Sequence, residues 1–483
     1  MSDEILINVT PPETRVAVVE NGVLQELNLE RQRKRDMVSN IYKGKVCRVM
    51  PGMQAAFVEI GLERAGFLHA SDVLVNGESL SEEQGIERVL REGQCIVVQV
   101  LKAPLGTKGA RLTMNIAIPS RYQVFLPHSD KLALSVQLDD ELERERLLAI
   151  MQVFKDQDYD GGYIARTASD GVNGEDIRAD MLFLNKLWEM LSAQIKEADV
   201  GLVYEDLPLT LRVLRDWYQS SVSKIKIDSK ENFDKMIEFA EKFMPDVKPL
   251  IELYAGNRPL FDIYGIEDEI EKALGRKVQL KSGGHLVFDQ TEAMTTVDVN
   301  TGSFVGRGNQ QQTIFKTNLE AAQATARQLR LRNLGGIIII DFIDMQNESH
   351  KESVLSVLEK SMEKDHVKYS ISNVSELGLV EMTRKRNRES LERIMCEPCG
   401  TCSGRGTVRT PETTCYEIFR EIMRDARQYE AKELLVMASN EVVEMLLDEE
   451  SSTLADLESF VGIPIRFRAE DQFTQEQYDV VLV

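Results

Sequence analysis

A chain of 483 residues with 43% hydrophobic and 28% charged side chains is long enough for roughly three or four domains with real cores. Its formal charge of −21 excludes a uniformly basic nucleic-acid binder and confines any such contact to local patches. No apolar run approaches a membrane span, the opening Met-Ser-Asp-Glu is no signal peptide, and six cysteines make no disulfide scaffold, so a cytoplasmic protein is expected.

Residues 5 to 30 read as strands. Thr14 to Glu20 and Val23 to Leu27 flank Asn21-Gly22, a type I′ hairpin signal. A basic run, Arg31-Gln32-Arg33-Lys34-Arg35, follows; others occur at Arg327 to Arg332 and Arg384 to Arg388, and each alone reads as a solvated helix face. From 36 to about 117 the texture is that of short strands with glycines at the corners, which suits a five-stranded barrel. Lys43-Gly44-Lys45-Val46, Ala56-Phe57-Val58 and Gly66-Phe67-Leu68-His69-Ala70-Ser71-Asp72 occur there in order. These strings resemble an S1 domain, a single-stranded RNA-binding form of the OB-fold, and the resemblance implies that Phe57 and Phe67 stack on unpaired bases, with Lys43 and Lys108 meeting phosphates. Cys47 and Cys95 are expected to be small core residues.

Between 118 and 275 the elements are mixed. Gly161 to Ser169 reads as a strand leaving a glycine pair, and Arg166 and Thr167 bring a guanidinium and a hydroxyl together as a candidate phosphate pocket. Asp176 to Asp199 and Asn232 to Phe243 carry apolar residues at helical spacing, with Trp188 and Trp217 as core. The densest signal lies at 293 to 344. Two β-branched runs end in Asp298 and Asp341, and a segment from about Thr313 to Asn333 reads as a helix between them. A strand–helix–strand crossover makes the two strands parallel neighbours, and the aspartates then converge at their carboxyl ends. Two carboxylates and little else hold a magnesium ion while leaving room for phosphate oxygens. Asn300 is a further polar group for that site; Asp344 is expected near the opposite strand face. His366 to Ser372 reads as one more strand, and Lys368 within it is expected to face phosphate. Cys396, Cys399 and Cys402 then form a Cys-x-x-Cys turn of the zinc-knuckle type. It offers at most three ligands, so the remainder would come from Cys415 or from a second copy of the chain. From about 410 a small α/β unit begins, with Thr410 capping a helix that starts at Pro411.

The S1-like block, Val297-Asp298-Val299-Asn300-x-Gly302, Ile339-Ile340-Asp341-Phe342-Ile343-Asp344-Met345 and the cysteine turn, in this order, resemble the ribonuclease E/G family of bacterial endoribonucleases over essentially the full length. With its compact length the chain is expected to fall nearest the family's short, G-type branch. The resemblance implies an α/β multidomain fold: an RNase H-like subdomain (1–35 and 212–274) interrupted by an S1 domain of the OB-fold (36–117) and a 5′-sensor (118–211). A DNase I-like catalytic subdomain (275–395), a zinc-link (396–409) and a small domain (410–483) follow. It further implies that Asp298 and Asp341 hold magnesium with Asn300 beside them, and that Arg166, Thr167 and Lys368 sense the RNA 5′-phosphate. Cys399 and Cys402 would bind zinc between protomers of a homodimer or higher homo-oligomer. The expected activity is magnesium-dependent hydrolysis of single-stranded, A/U-rich RNA with a 5′-monophosphate preference, in rRNA maturation and mRNA decay. The rival expectation is a non-catalytic S1-domain RNA-binding or ribosome-assembly factor.

Overall fold

The computed structural model describes residues 3–483 except 33–36, 76–77, 81–84, 105–108, 139, 156–160, 219–220, 303–309, 366, 376, 387 and 430. The chain divides into two compact units, Met1–Glu392 and Arg393–Val483.

Among its described residues the first unit contains four larger sheets. Alternating apolar residues in Asp3–Val9, Glu13–Glu20 and Val23–Arg31 build an antiparallel meander. Its hairpin turns at Asn21 and Gly22, both with positive φ (51° and 78°), as a type I′ turn requires. Val222–Ile227 joins Asp3–Val9 in parallel and Ile251–Leu253 extends the sheet, so the two sequence segments assigned to one interrupted subdomain lie in one sheet. Ile5, Ile7, Val16, Ile225 and Ile227 pack there against Val213 and Met236 of the helices Leu209–Asp216 and Lys230–Phe243.

The intervening chain makes two further layers. Ile41–Met50, Ala55–Glu59, Gly66–His69, Arg111–Thr113 and Cys95–Lys102 pair in sequence around a closed five-stranded barrel, Cys95–Lys102 returning to Ile41–Met50. Gly201–Tyr204 adds to the outer side of Ile41–Met50 and ties the barrel to the neighbouring sheet. That sheet runs Ile118–Pro119, Gln123–Leu126, Gly162–Ala165, Leu132–Leu134. The helices Glu141–Lys155 and Gly174–Glu197 bury Leu147, Met151, Ile177 and Met181 against its Phe125 and Tyr163. Trp188 and Trp217 pack half-buried at the edges of two cores. Cys47 and Cys95 are exposed, contrary to their expected burial: each alternates outward on a barrel strand whose neighbours Val46 and Ile96 fill the interior.

The fourth sheet positions the carboxylates. Its order is Lys277–Gln279, His285–Gln290, Met294–Asn300, Gly336–Asp341, Leu379–Arg384, Tyr369–Val374. The helix Gln310–Leu331 carries the crossover that makes Met294–Asn300 and Gly336–Asp341 parallel. With Glu348–Met362 it covers one face, over Val297, Val299, Ile338, Ile340, Val380 and Met382. The other face is open, with Ile337 at 47% exposure.

The second unit is a three-stranded sheet, Ile465–Ala469, Leu434–Ala438, Tyr478–Leu482, under the helices Pro411–Gln428, Asn440–Leu447 and Ser451–Val461. Thr410 accepts the Thr413 amide as the cap of the first helix. Among the described residues, no helix is long and apolar enough to cross a membrane.

Candidate active site and RNA interface

On Met294–Asn300 and Gly336–Asp341 the period of two sends Val297, Val299, Ile338 and Ile340 to the core and the aspartates to the open face. Asp298 and Asp341 stand directly opposite each other in the parallel register. Asn300, one step further on the same face, donates its side-chain amide to Asp298 Oδ2 at 2.8 Å. Partial burial, together with the charges of Asp298 and Asp344, raises the Asp341 carboxyl above its ordinary value. Asp344 is not on a strand, as the period-two reading assumed. The strand stops at Asp341, and the chain then turns so that Asp344 still acts on it electrostatically. The carboxylate pair suits a divalent cation: the ion would relieve the like-charge repulsion, and two protein ligands leave positions for water and phosphate oxygens. Among the described residues no cluster of three or more histidine, cysteine or acidic groups forms a closed cage.

Backbone proximity fixes Asn300. A methyl group on Gly284 would lie 2.6 Å from the Asn300 carbonyl oxygen, and one on Gly302 (φ +61°) 2.5 Å from the Gly283 oxygen. Two side chains of the crossover helix, which the sequence reading passed over, complete the support. Asn318, fully buried, donates to the Ile343 carbonyl at 2.7 Å and accepts the Ile343 amide at 3.1 Å, holding the loop behind Asp341. Glu320 accepts the amides of Lys281 and Ser282 at the tip of the hairpin leading to Asp298. The signal for Asn318 was its place on the helix face shared with Ala321, Ala322 and Leu329, where a buried polar side chain needs a partner; half-buried Glu320 carried no such signal.

On the barrel, Phe57 and Phe67 oppose each other across neighbouring strands, their ring centroids 5.9 Å apart and edge to face. Both point away from the interior, which Ala56, Val58 and Leu68 fill, and both are half-buried. His69 extends the row, 6.5 Å from Phe67. Lys43 differs from its expected role: its ammonium donates to the carbonyls of Ile195 (3.0 Å) and Ala198 (2.8 Å), so it closes the carboxyl end of Gly174–Glu197 instead of facing a phosphate. Lys108 lies outside the described residues.

Arg166 follows the strand Gly162–Ala165. It donates to the Ser120 carbonyl at 2.5 Å and to Asp216 at 2.8 Å. The Thr167 hydroxyl lies 3.1 Å from the Ser135 hydroxyl and 3.2 Å from Gln137 Oε1. Lys368 sits with Lys385 and Arg386 around a cavity at the amino end of Gly336–Asp341. That is a strand length, about 17 Å, from Asp341. A second cavity, of about 220 Å³, is lined by Asp216 and by Val367 beside Lys368, so it borders the groups flanking both sensor candidates.

The other basic runs have structural partners. Arg330 pairs with Glu20 and Glu26, Arg327 with Glu269, and Arg384 with the buried Asp365, so they are not the solvated faces the sequence suggested. In the second unit, the Cys399 sulfur accepts the backbone amides of Cys402 and Thr401, which lowers its pKa. Cys402 accepts the Gly406 amide at 3.4 Å. Cys415 is buried in the hydrophobic core and contacts the Val442 carbonyl, and burial pushes its thiol up to about 11. That position removes it as the fourth ligand. Two thiols on a tight turn are the donor set of half a tetrahedral zinc site.

Comparison with known proteins matches these parts in turn. Residues 117–387 match the Ribonuclease E/G family, residues 35–115 the S1 RNA binding domain, and residues 398–482 the RNase E/G thioredoxin-like domain. The chain is 50% identical to Ribonuclease G of Salmonella typhimurium (strain SL1344) over 491 residues, covering 100% of both. It is 49% identical to Ribonuclease G of Haemophilus influenzae over 489 residues, covering 99% of both. Ribonuclease E of Escherichia coli (strain K12) is 35% identical over 99% of this chain and 46% of its own length. With an S1 RNA-binding barrel and full-length identity to Ribonuclease G, the chain belongs to the ribonuclease E/G family and is an endoribonuclease, not a non-catalytic RNA-binding factor.

Proposed function

We propose that this endoribonuclease cleaves single-stranded, A/U-rich RNA in a magnesium-dependent reaction and prefers substrates with a 5′-monophosphate. The observation that carries the reading is the in-register Asp298–Asp341 pair on an open sheet face. Asp298 and Asp341 would hold the ion, which when bound supplies an acidified water and neutralises charge on the phosphate. The Asn300 amide orients the Asp298 carboxylate through its 2.8 Å hydrogen bond. Asn318 fixes the loop that follows Asp341, and Glu320 the turn at Lys281 and Ser282 before the hairpin to Asp298, which preorganises the carboxylates. Phe57 and Phe67 stack on bases, which only an unpaired strand offers. Arg166 and Thr167, with Lys368, contact the 5′-phosphate; hydrolysis leaves 5′-phosphate and 3′-hydroxyl ends. Cys399 and Cys402 of two copies share one zinc ion, making a homodimer. The setting is rRNA maturation and mRNA decay in the cytoplasm.

The test uses a fluorescent A/U-rich oligonucleotide with a 5′-monophosphate, its 5′-hydroxyl twin and its duplex form. Cleavage that follows magnesium, stops with chelator and ranks monophosphate above hydroxyl above duplex supports the reading. Undiminished cleavage in chelator removes the magnesium assignment, and equal rates on the two 5′ ends remove the sensor.

A further inference from the structure

The candidate phosphate contact Arg166 is oriented from outside its own sheet. Its guanidinium, with the side chain 27% exposed, spends one donor on the Ser120 carbonyl and one on Asp216 Oδ1. Among the described residues it makes no further hydrogen bond, and Asp180 acts on it only as a nearby charge, which leaves N–H groups for a ligand. Asp216 ends the helix Leu209–Asp216, whose Val213 and Leu214 belong to the core of the five-stranded sheet built from residues 3–31 and 222–253. A helix carboxyl terminus favours a cation at this point.

Asp216 is itself held. Arg215 donates to it through Nε (3.1 Å) and a terminal nitrogen (2.9 Å). Arg215 in turn grips Asp206 in a bidentate pair at 2.7 and 3.0 Å, with both side chains 6% exposed. Asp206 donates its backbone amide to Asn40 at the start of the barrel. The resulting row, Arg166–Asp216–Arg215–Asp206, alternates in sign and is buried at its far end. Burial alone would raise the Asp216 carboxyl, but Arg215 and Arg166 outweigh it and hold the group below its ordinary range. Asp216 is therefore charged whenever the protein is folded near neutrality.

We propose that Asp216 is the positioning residue for Arg166: it fixes the guanidinium fork so that the free edge faces the RNA 5′-phosphate, and it makes 5′-end recognition depend on the helix Leu209–Asp216. The inference rests on the reading of Arg166 as a 5′-phosphate contact. A long arginine side chain held by two internal acceptors loses less rotamer freedom on binding than a free one. Asp216 acts through Arg166 and touches no part of the reacting phosphodiester.

The experiment compares kcat/KM on 5′-monophosphorylated and 5′-hydroxyl forms of one oligonucleotide, for wild type, Asp216→Asn, Asp216→Glu, Arg166→Ala and the double variant Arg166→Ala/Asp216→Asn. Asp216→Asn is expected to lower the monophosphate-to-hydroxyl ratio roughly tenfold, chiefly through KM on the monophosphate. Asp216→Glu should restore part of the ratio, and the double variant should lose no more of it than Arg166→Ala. If Asp216→Asn lowers both rates equally, its role is structural and the inference fails. A raised ratio would mean that Asp216 competes with the phosphate, which also overturns it. If Arg166→Ala itself leaves the ratio unchanged, the 5′-end reading fails and the inference with it; if only the Asp216 variants leave it unchanged, the reading stands and the positioning role falls.

Discussion

Asp298 and Asp341 are exposed on the sheet surface and contribute little to packing, so replacing either with asparagine should leave thermal stability within about 0.5 kcal/mol of wild type. The same change removes a charge from the carboxylate pair proposed to hold magnesium and is expected to reduce single-turnover cleavage at least about a hundredfold. Phe67 has another effect. Phe67→Ala removes one stacking face, worth about 1–3 kcal/mol per base, and should raise KM roughly tenfold while leaving kcat near its wild-type value. A fall in kcat with unchanged KM would argue against base stacking. A third residue answers to pH. Burial pushes the Asp180 carboxyl up to about 6 from 3.8, against hydrogen bonds from the Ser120 hydroxyl and the Tyr122 amide. The folded protein therefore retains a proton that the unfolded chain releases, and this group's stabilising contribution is complete below about pH 4 and lost as pH rises through 6. Asp180→Asn should gain melting temperature relative to wild type between pH 5 and pH 7.5; a difference that stays constant over that range would show that Asp180 does not titrate there.

The strands ending in Asp298 and Asp341 were the most legible elements. Two β-branched runs ending in aspartate, separated by a helical stretch, gave the parallel pairing directly, and the helix forms over Gln310–Leu331 against an expected span of about 313 to 333. The helices near 176–199 and 411–430 and the Asn21-Gly22 hairpin were equally readable, because caps, period and turn residues are local signals. Long-range partners were hidden. Nothing local says that Lys43 reaches the end of a helix more than 150 residues away, that Asp216 meets Arg166, or that the arginines of 327–332 and 384–388 turn to internal acceptors. Residue type reports a charge but not its distant counter-ion. The helix Gln310–Leu331 illustrates the consequence: it reads as a plain crossover, yet Asn318 holds the loop after Asp341 and Glu320 the turn at Lys281 and Ser282. Asn318→Ala would orphan the Ile343 amide and carbonyl, costing about 1–3 kcal/mol. It should lower the melting temperature, which Asp298→Asn leaves nearly unchanged, and lower kcat as well, as paired melting and cleavage measurements would reveal.

At the scale of the whole molecule, a charge of −21 is reconciled with RNA binding by distribution. The RNA-facing groups proposed here are aromatic rings, single cations and a carboxylate pair suited to a divalent ion, while many of the arginines neutralise carboxylates internally. Such a surface should bind RNA with a shallow salt dependence compared with a basic groove, and a steep one would contradict it. The cysteine turn carries a further expectation. With a zinc ion shared between two copies, as proposed, Cys399→Ser should lower zinc content and shift light scattering toward the monomer, while Cys415→Ser, in the core, should leave zinc content unchanged. The central claim concerns the carboxylate pair acting as one unit. Its most direct test is single-turnover cleavage of one single-stranded oligonucleotide by Asp298→Asn, Asp341→Asn and the double variant across a magnesium titration. The account predicts that each single variant loses nearly as much rate as the double, because a half-ligated ion is as ineffective as none. Losses that multiply independently, or a single variant that cuts at the wild-type rate at low magnesium, would contradict it.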